Sequence, residues 1–487
     1  MRPCVKSSAV LSLLAAALLL VSTVTAGEGK IPVTSTSAEA REVFLKGRQL
    51  VDNLRLTDAN PLFKKAIELD PSFALAHLYA AQTSASGKEF FACLEKASGL
   101  VDKVSEGEGL WIKGVRAAAF ADPETNRKCL TTLAEMYPED ERAQMLLGVF
   151  HFAQQDYENA VKLLKRSTDI APGFAPAYNQ LGYAYRFLGR YEDAEATFKK
   201  YTELIPDDPN PYDSYAELLL KIGRYEDAIV QYKKALAVNQ NFANSYAGIA
   251  AAQAYQGKHS DALGTLDKAL GLARTDGEKR AALFARTVVY ADKGDLKHAL
   301  KEMDRQFAIA KEGNDAGGMA GDLISMGNIL LEKGDVDAAL KHFGKAKECV
   351  QTSSLAKEVK ENAALIYNYN ASRAMMAKHD LAEARKFADR LREGAEAKKN
   401  LNQLRLAHEL AGTIALEGKK YDDAVTELQQ ANLLNAYNLY RLARAHALSG
   451  NAEKAKVIMA QAAKFNGLPA LNNAFIRARA QEELGKM

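Results

Sequence analysis

Apolar and small residues recur at helical spacing in the middle of the chain. The segment 175–208 carries them at i, i+3, i+4 and i+7 of a first helix: Tyr178, Leu181, Gly182 and Tyr185. Gly189 follows, and glycine readily takes the left-handed conformation in which helices end. A second helix with its own apolar face runs from there to Pro206, where the missing N–H stops it. The pattern predicts one helix-turn-helix unit of 34 residues.

The turn of this unit recurs along the chain. Gly-Arg-Tyr-Glu-Asp-Ala begins at Gly189 and again at Gly223, 34 residues later. Looser copies of the turn begin at Gln155, Gly257, Gly294, Gly334, His379, Lys419 and Gly450. The successive gaps are 34, 34, 34, 37, 40, 45, 40 and 31 residues. A period of this length indicates a solenoid, in which each unit buries its apolar face only against its neighbours.

The order of aromatic, small and proline residues resembles the tetratricopeptide repeat. The matching positions are Tyr178, Leu181, Gly182, Tyr185, Gly189, Ala194, Phe198 and Pro206. The resemblance implies an all-α fold, a right-handed α-solenoid, and the recurring turns predict about twelve helix-turn-helix units. In that family two positions are small because the paired helices touch there, here Gly182 and Ala194.

Changes in the pattern divide the chain into four parts. They are a signal peptide over 1–26, a flexible leader over 27–39, the repeat array over 40–469, and a C-terminal capping helix over 470–487. A solenoid needs such a closing helix to cover its last apolar face.

The first 26 residues have the order of an export signal. Basic residues Arg2 and Lys6 precede a 12-residue apolar run, Val10–Val21, and the small-residue pattern ending at Ala26. We expect cleavage after Ala26 and a periplasmic or secreted mature protein; a retained anchor is the alternative. The run is short for a membrane span, and no other segment has 18 consecutive apolar residues, so we expect no integral membrane insertion of the mature chain.

Charge and side-chain chemistry narrow the function. Without residues 1–26 the formal charge falls from +3 to +1, which argues against nucleic-acid binding, because that needs a basic stripe. The eight histidines are scattered singly, and none forms an i, i+4 pair around an acid. The glycine-rich stretch 313–321 lacks the Gly-Lys-Ser/Thr ending of a phosphate loop. We therefore predict no enzyme activity, no catalytic or metal site and no cofactor.

The three cysteines of the mature chain are expected to be free thiols. Cys93 and Cys129 fall at equivalent places in successive second helices. Stacked helices lie about 8–10 Å apart, whereas the Cα atoms of bridged cysteines usually lie within about 7 Å. Cys349 is far from both in sequence.

The resemblance implies that the first helix of each unit lines a concave groove. Carried onto the most regular units, the groove positions are Asn179, Tyr183, Arg186, Phe187, Asp213, Glu217, Lys221, Asn244 and Tyr255. This mixture of aromatic, amide and charged side chains suits an extended peptide. We predict a protein-protein interaction scaffold that binds a peptide segment or a partner protein. The alternatives are a helical receptor for a small molecule or glycan, and a structural subunit of a cell-envelope assembly. The oligomeric state stays open.

Overall fold

The computed structural model describes residues 29–53 and 55–487, so the expected signal peptide lies outside the described residues. Within them the chain forms twenty-five α-helices and one short 3₁₀ helix, Val101–Lys103. The first eight are α1 Ala38–Asp52, α2 Leu56–Leu69, α3 Ala74–Gln82, α4 Gly87–Ser98, α5 Glu106–Ala119, α6 Pro123–Met136, α7 Glu141–Ala153 and α8 Tyr157–Ile170. The next eight are α9 Ala175–Phe187, α10 Tyr191–Leu204, α11 Pro209–Lys221, α12 Tyr225–Val238, α13 Ala243–Tyr255, α14 His259–Leu272, α15 Asp276–Asp292 and α16 Leu296–Glu312. The last nine are α17 Ala316–Lys333, α18 Val336–Gln351, α19 Lys357–Ala377, α20 Leu381–Ala397, α21 Leu401–Glu417, α22 Tyr421–Leu428, α23 Ala436–Leu448, α24 Ala452–Ala463 and α25 Leu471–Leu484.

The helices pair in order, α1 with α2 through α23 with α24, and each pair packs on the next. The fold is thus the predicted all-α solenoid. First helices of neighbouring units also contact each other, as α9 does α11 and α11 does α13. They therefore lie on the inside of the curve, and we call the surface they form the inner wall. No helix of the described residues is long and apolar enough to cross a membrane.

The repeat period lengthens in the second half because the helices lengthen. The first helices α7, α9, α11 and α13 each have 13 residues, whereas α15, α17, α19 and α21 have 17, 18, 21 and 17. The additional residues extend the first helices by about one turn or more. The inner wall is correspondingly wider there.

The predicted turn residues all take the left-handed conformation. Their φ angles lie between 59° and 87° at Gln155, Gly189, Gly223, Gly257, Gly294, Gly334, His379, Lys419 and Gly450. Three of these nine residues are not glycine, so the repeat geometry imposes this conformation even where a side chain makes it costly.

Small residues in the first helices meet a large residue 16 positions later. A Cβ atom on Gly182 would lie 2.6 Å from the Phe198 ring, and one on Gly327 would lie 2.3 Å from the Phe343 ring. Gly148 and Gly412 are related in the same way to Leu164 and Leu428. The predicted helix–helix contact at Gly182 is therefore made with the Phe198 ring, which fills the space that a side chain would need.

The solenoid coils until its later units touch its earlier ones, along a line that we call the seam. Arg274 donates to Asp58 Oδ1 at 3.0 Å, Asn400 to the Ala121 carbonyl at 3.2 Å, and Arg405 to the Gln154 carbonyl at 2.8 Å. Packing at the seam is loose. Cavities of about 590 and 560 Å³ lie beside it, and Phe120 lines both.

Residues 30–36 of the leader, which we expected to be flexible, lie extended across the first units. The main-chain N–H groups of Ile31, Thr34 and Thr36 donate to Asp140, Glu108 and Asp70 at 2.9, 2.7 and 2.7 Å. These three carboxylates belong to successive units, so the leader ties those units together. Its Ile31 and Val33 side chains pack against the apolar core below.

Candidate functional site

The predicted groove residues of α9 and α11 lie side by side on the inner wall. The Arg186 guanidinium lies 3.2 Å from a Glu217 carboxylate oxygen. Its carbon is 4.7 Å from the centre of the Tyr183 ring and 4.9 Å from that of Phe187. Arg186 is thus held between two aromatic rings and an acid. Its guanidinium is already partnered within the wall.

Polar groups from α9, α11 and α13 form a buried network below this cluster. The Ser214 hydroxyl donates to Asn179 Oδ1 at 2.9 Å, and the Ser245 hydroxyl donates to Asp213 Oδ1 at 2.6 Å. Asn179 is 4% exposed and Asp213 is 3% exposed. Burial, with a smaller contribution from the nearby Glu217, raises the pKa of Asp213 well above its usual range. Burial also raises the pKa of Glu217, against the opposing charge of Arg186. These side chains join neighbouring units instead of facing solvent.

Lys221 and Tyr255 contact the chain's own residues 465–477, which we call the C-terminal segment. The Tyr255 hydroxyl donates to the Gly467 carbonyl at 2.5 Å. The Lys221 ammonium lies 4.2 Å from the centre of the Phe465 ring. Burial, and then the charge of Arg186, lower the pKa of Lys221 to about 8. Two residues predicted to hold a peptide therefore already hold part of this polypeptide.

The helix that follows this contact turns back into the curve. α25 packs against the first helices α15 and α23 as well as against α24. Its Leu471 and Phe475 join an apolar cluster with Val288 and Ala291 of α15. The predicted closing helix thus covers part of the inner wall in addition to the end of the stack.

Asn244 lies away from the other predicted groove residues. It is exposed and lines a small cavity at the seam together with Arg55 and Asp58 of the first unit. Its position near the start of α13 places it at the edge of the wall.

The second half of the inner wall has a polar cavity that the sequence analysis did not single out. The cavity has a volume of about 300 Å³, and its lining includes Asn328, Arg373, Thr413, Arg441 and Arg479. Asn328, Arg373 and Thr413 each stand six residues before a turn residue, as Tyr183 does before Gly189. Counting back from the turns of the longer units would have found this row.

Arg373 has no carboxylate partner among the described residues. Its guanidinium donates to the side-chain oxygens of Asn328 at 2.7 Å and Asn370 at 3.3 Å. The neighbouring Arg441, in contrast, lies 3.0 Å from Glu409. The two hydrogen bonds of Arg373 come from one nitrogen, so its other donors are available to a ligand in the cavity.

The cysteines and the other potential metal ligands remain separate. Cys93, Cys129 and Cys349 are free thiols, as predicted. No three histidine, cysteine or carboxylate side chains come together as metal ligands would in the residues that the structure describes.

The fold and the inner wall define the class of this protein as a helical-repeat solenoid. Profiles described as tetratricopeptide repeat match residues 114–175 and 151–218, and one described as TPR repeat matches residues 216–257. The chain is a tetratricopeptide repeat protein, as its sequence pattern predicted. No curated protein matches it.

Solved structures of tetratricopeptide repeat proteins are similar to parts of the chain. A thermophilic TPR protein of Thermus thermophilus is 22% identical, covers 39% of this chain and 99% of its own, and has a TM-score of 0.33. A tetratricopeptide repeat protein from Parabacteroides merdae is 16% identical, with 53% and 97% covered and a TM-score of 0.37. The APC/C hetero-tetramer Cut9-Hcn1 is 14% identical, with 87% and 76% covered and a TM-score of 0.41.

Proposed function

We propose that this protein is an interaction scaffold without catalytic activity, which holds an extended segment of a partner protein against its inner wall. Its repeat family supports the general role of an interaction scaffold. The continuous wall supports the finer assignment, because successive first helices present side chains at regular intervals along one surface.

The observation that carries the proposal is the open cavity at Arg373. A guanidinium with donors to spare stands there beside the Asn328 amide, the Thr413 hydroxyl and the Tyr437 ring. An extended peptide needs donors, acceptors and apolar contact in close succession. This cavity supplies all three, whereas the polar groups of α9 and α11 already bind one another.

The test begins with a photo-crosslinking amino acid at position 331, which lines the cavity, in protein made in its native host. The same amino acid at position 345, exposed on α18, is the control. The affinity of the crosslinked partner is then measured against Arg373→Ala and against Arg390→Ala, which removes an exposed arginine of α20. We expect at least a tenfold loss for Arg373→Ala alone. Equal affinities of both variants would place the contact elsewhere.

We also propose that the protein is exported, because residues 1–26 have the basic, apolar and small-residue order of a signal peptide. The expected mature N-terminus is Gly27, three residues before the first leader contact at Lys30. Mass spectrometry of the protein from its host measures this directly. An intact Met1 would contradict the proposal.

A further inference from the structure

The C-terminal segment meets the array through three consecutive residues, Phe465, Asn466 and Gly467. They lie against Lys221 at the end of α11, Tyr225 at the start of α12 and Tyr255 at the end of α13. We call these three array residues the tyrosine cleft.

The cleft contacts each of the three residues in a different way. The Phe465 ring receives the Lys221 ammonium over its face at 4.2 Å. Both ends of the Asn466 amide are engaged: the Tyr225 hydroxyl donates to its oxygen at 2.9 Å, and its nitrogen donates to the Lys221 carbonyl at 3.4 Å. An aspartate cannot donate the second of these bonds, and a leucine can make neither.

Gly467 is recognised through its main chain. The Tyr255 hydroxyl donates to its carbonyl and also accepts from its N–H at 3.4 Å. A Cβ atom on Gly467 would meet its nearest neighbours at 3.7 and 4.0 Å, which are ordinary van der Waals distances. The cleft therefore fits an aromatic residue, an asparagine and a small residue in succession.

The contact is built so that it can open. Its hydrogen bonds join uncharged groups, and each such bond contributes on the order of 1 kcal/mol. Arg477 adds a stacking contact on Tyr255, with 3.7 Å from the guanidinium carbon to the ring centre. The apolar contacts of Leu471 and Phe475 with α15 belong to α25 and do not involve the cleft. Residues 465–467 can therefore leave the cleft while α25 stays packed.

We propose that the tyrosine cleft is a docking site for an aromatic-Asn-small segment of a partner protein, and that residues 465–467 occupy it as an internal competitor. This inference deepens the proposed scaffold function, because it adds a second, sequence-selective contact at the rim of the inner wall. Tethered segments act at effective concentrations on the order of millimolar. A partner segment must bind more tightly than that, or find the internal segment displaced.

The test uses a fluorescent, capped synthetic peptide with the sequence of residues 463–469, Ala-Lys-Phe-Asn-Gly-Leu-Pro. Its binding is measured by fluorescence anisotropy to the full chain and to the full chain with Phe465→Ala and Asn466→Ala, which vacates the cleft. We expect the vacated variant to bind at least ten times more tightly than the unchanged protein. A peptide with aspartate in place of asparagine should bind at least five times more weakly.

Tyrosine variants locate the peptide. In the vacated protein, Tyr225→Phe with Tyr255→Phe should abolish binding. The control is Tyr246→Phe, because Tyr246 also lies on α13 but donates to the Gln240 carbonyl, outside the cleft. Equal binding to the vacated and unchanged proteins, or binding that ignores the tyrosine pair, would overturn the proposal. A concentration-dependent dimer of the unchanged protein, lost in the vacated variant, would also overturn it by assigning the cleft to a second copy.

Folding of the variants is checked by circular dichroism. If the vacated variant is not native, Asn466→Ala alone is used with hydrogen exchange, where residues 464–468 should exchange at least ten times faster while α25 keeps its protection. An unchanged exchange rate would contradict the inference. None of these measurements depends on Arg373, so failure at the cleft and failure of the proposed function are distinguishable.

Discussion

Two extended stretches of the chain lie on the same array but are held by different chemistry. Near the N-terminus, the leader donates three main-chain N–H groups to the carboxylates of Asp140, Glu108 and Asp70. Near the C-terminus, the segment at Phe465–Gly467 is held by tyrosine hydroxyls, a main-chain carbonyl and an ammonium over a ring.

The difference separates a structural tie from a replaceable ligand. Hydrogen bonds to carboxylates are about twice as strong as bonds between neutral groups. The leader's acceptors are also deeply buried, and Glu108 is 0% exposed, so losing the leader would leave them without partners. The partners of the C-terminal segment are half-buried and can return to water. We infer that the leader is part of the fold, whereas the C-terminal segment can be exchanged.

The largest expected effect comes from removing one of the leader's carboxylates. Glu108 accepts from the Thr34 N–H and hydroxyl and also completes the capping box with Ser105 at the start of α5. Glu108→Ala should lower the free energy of unfolding by about 3 kcal/mol, from lost charged hydrogen bonds and a lost cap. Urea denaturation measures the change.

Glu106→Ala is the matched control, since Glu106 is exposed one turn position earlier on the same helix. It should cost less than about 0.5 kcal/mol. Equal losses in both variants would contradict the assignment of the leader as a structural tie.

Acid should act on the leader and spare the C-terminal segment. Burial alone would raise the pKa of Asp70, but hydrogen bonds from Ser72, Ser35 and the Thr36 N–H outweigh it and lower the pKa to about 2. The folded state therefore gains about 2 kcal/mol from ionised Asp70 at neutral pH, and loses it as the pH falls from about 4 towards 2.

Asp70→Asn isolates this contribution. Buried Asp213 acts with the opposite sign, because its raised pKa means that the folded state gains stability as Asp213 becomes protonated. We expect the stability difference between the unchanged protein and Asp70→Asn to shrink below pH 4, measured by thermal unfolding in a pH series. The cleft contacts contain no carboxylate, so hydrogen exchange of residues 465–467 should stay constant over that range. Faster exchange there would weaken the comparison.

A smaller effect is expected from the C-terminal segment itself. Asn466→Ala removes two neutral hydrogen bonds that water can replace, at a cost of about 1 kcal/mol. The readout is urea denaturation of the full chain. A cost as large as that of Glu108→Ala would mean that both segments are structural.

The smallest effect is expected at the seam. Arg274 and Asp58 form an ion pair that is partly exposed, with 40% and 25% of their side chains accessible. Such pairs contribute about 0–1 kcal/mol and are screened by salt. Arg274→Ala should barely change stability but should enlarge the radius of gyration in small-angle scattering at low salt. An unchanged radius would indicate that the leader and the repeat packing alone hold the coil.

The sequence predicted what neighbouring units decide. The turns at Gln155, His379 and Lys419 were found without glycine, because the apolar period continues on both sides of them. The spacing also placed Gly182 at a close helix contact. These features depend on residues at most a few tens of positions apart.

What the sequence did not predict depends on distant segments. Asp140 has the position of an ordinary helix cap, which it also is, and nothing adjacent to it shows that Ile31 will share the carboxylate. Asp213 was expected on a free face, but its burial depends on how closely α11 and α13 approach. Lys221 and Tyr255 were placed in a groove by the family register, and that register holds no information about residues 465–477. The open cavity at Arg373 was missed because the longer units were not used to count groove positions.

The seam gives the molecule a folding order that a simple stack lacks. A linear array of repeats frays from its ends, since each unit depends only on the next. Here Arg274 to Asp58 and Arg405 to Gln154 join residues 216 and 251 positions apart. Closing a chain over such lengths costs entropy, and the polar bonds across the seam return little of it. We expect the two halves of the coil to close last during folding and to part first under stress, so that the molecule opens about its middle before either end unravels.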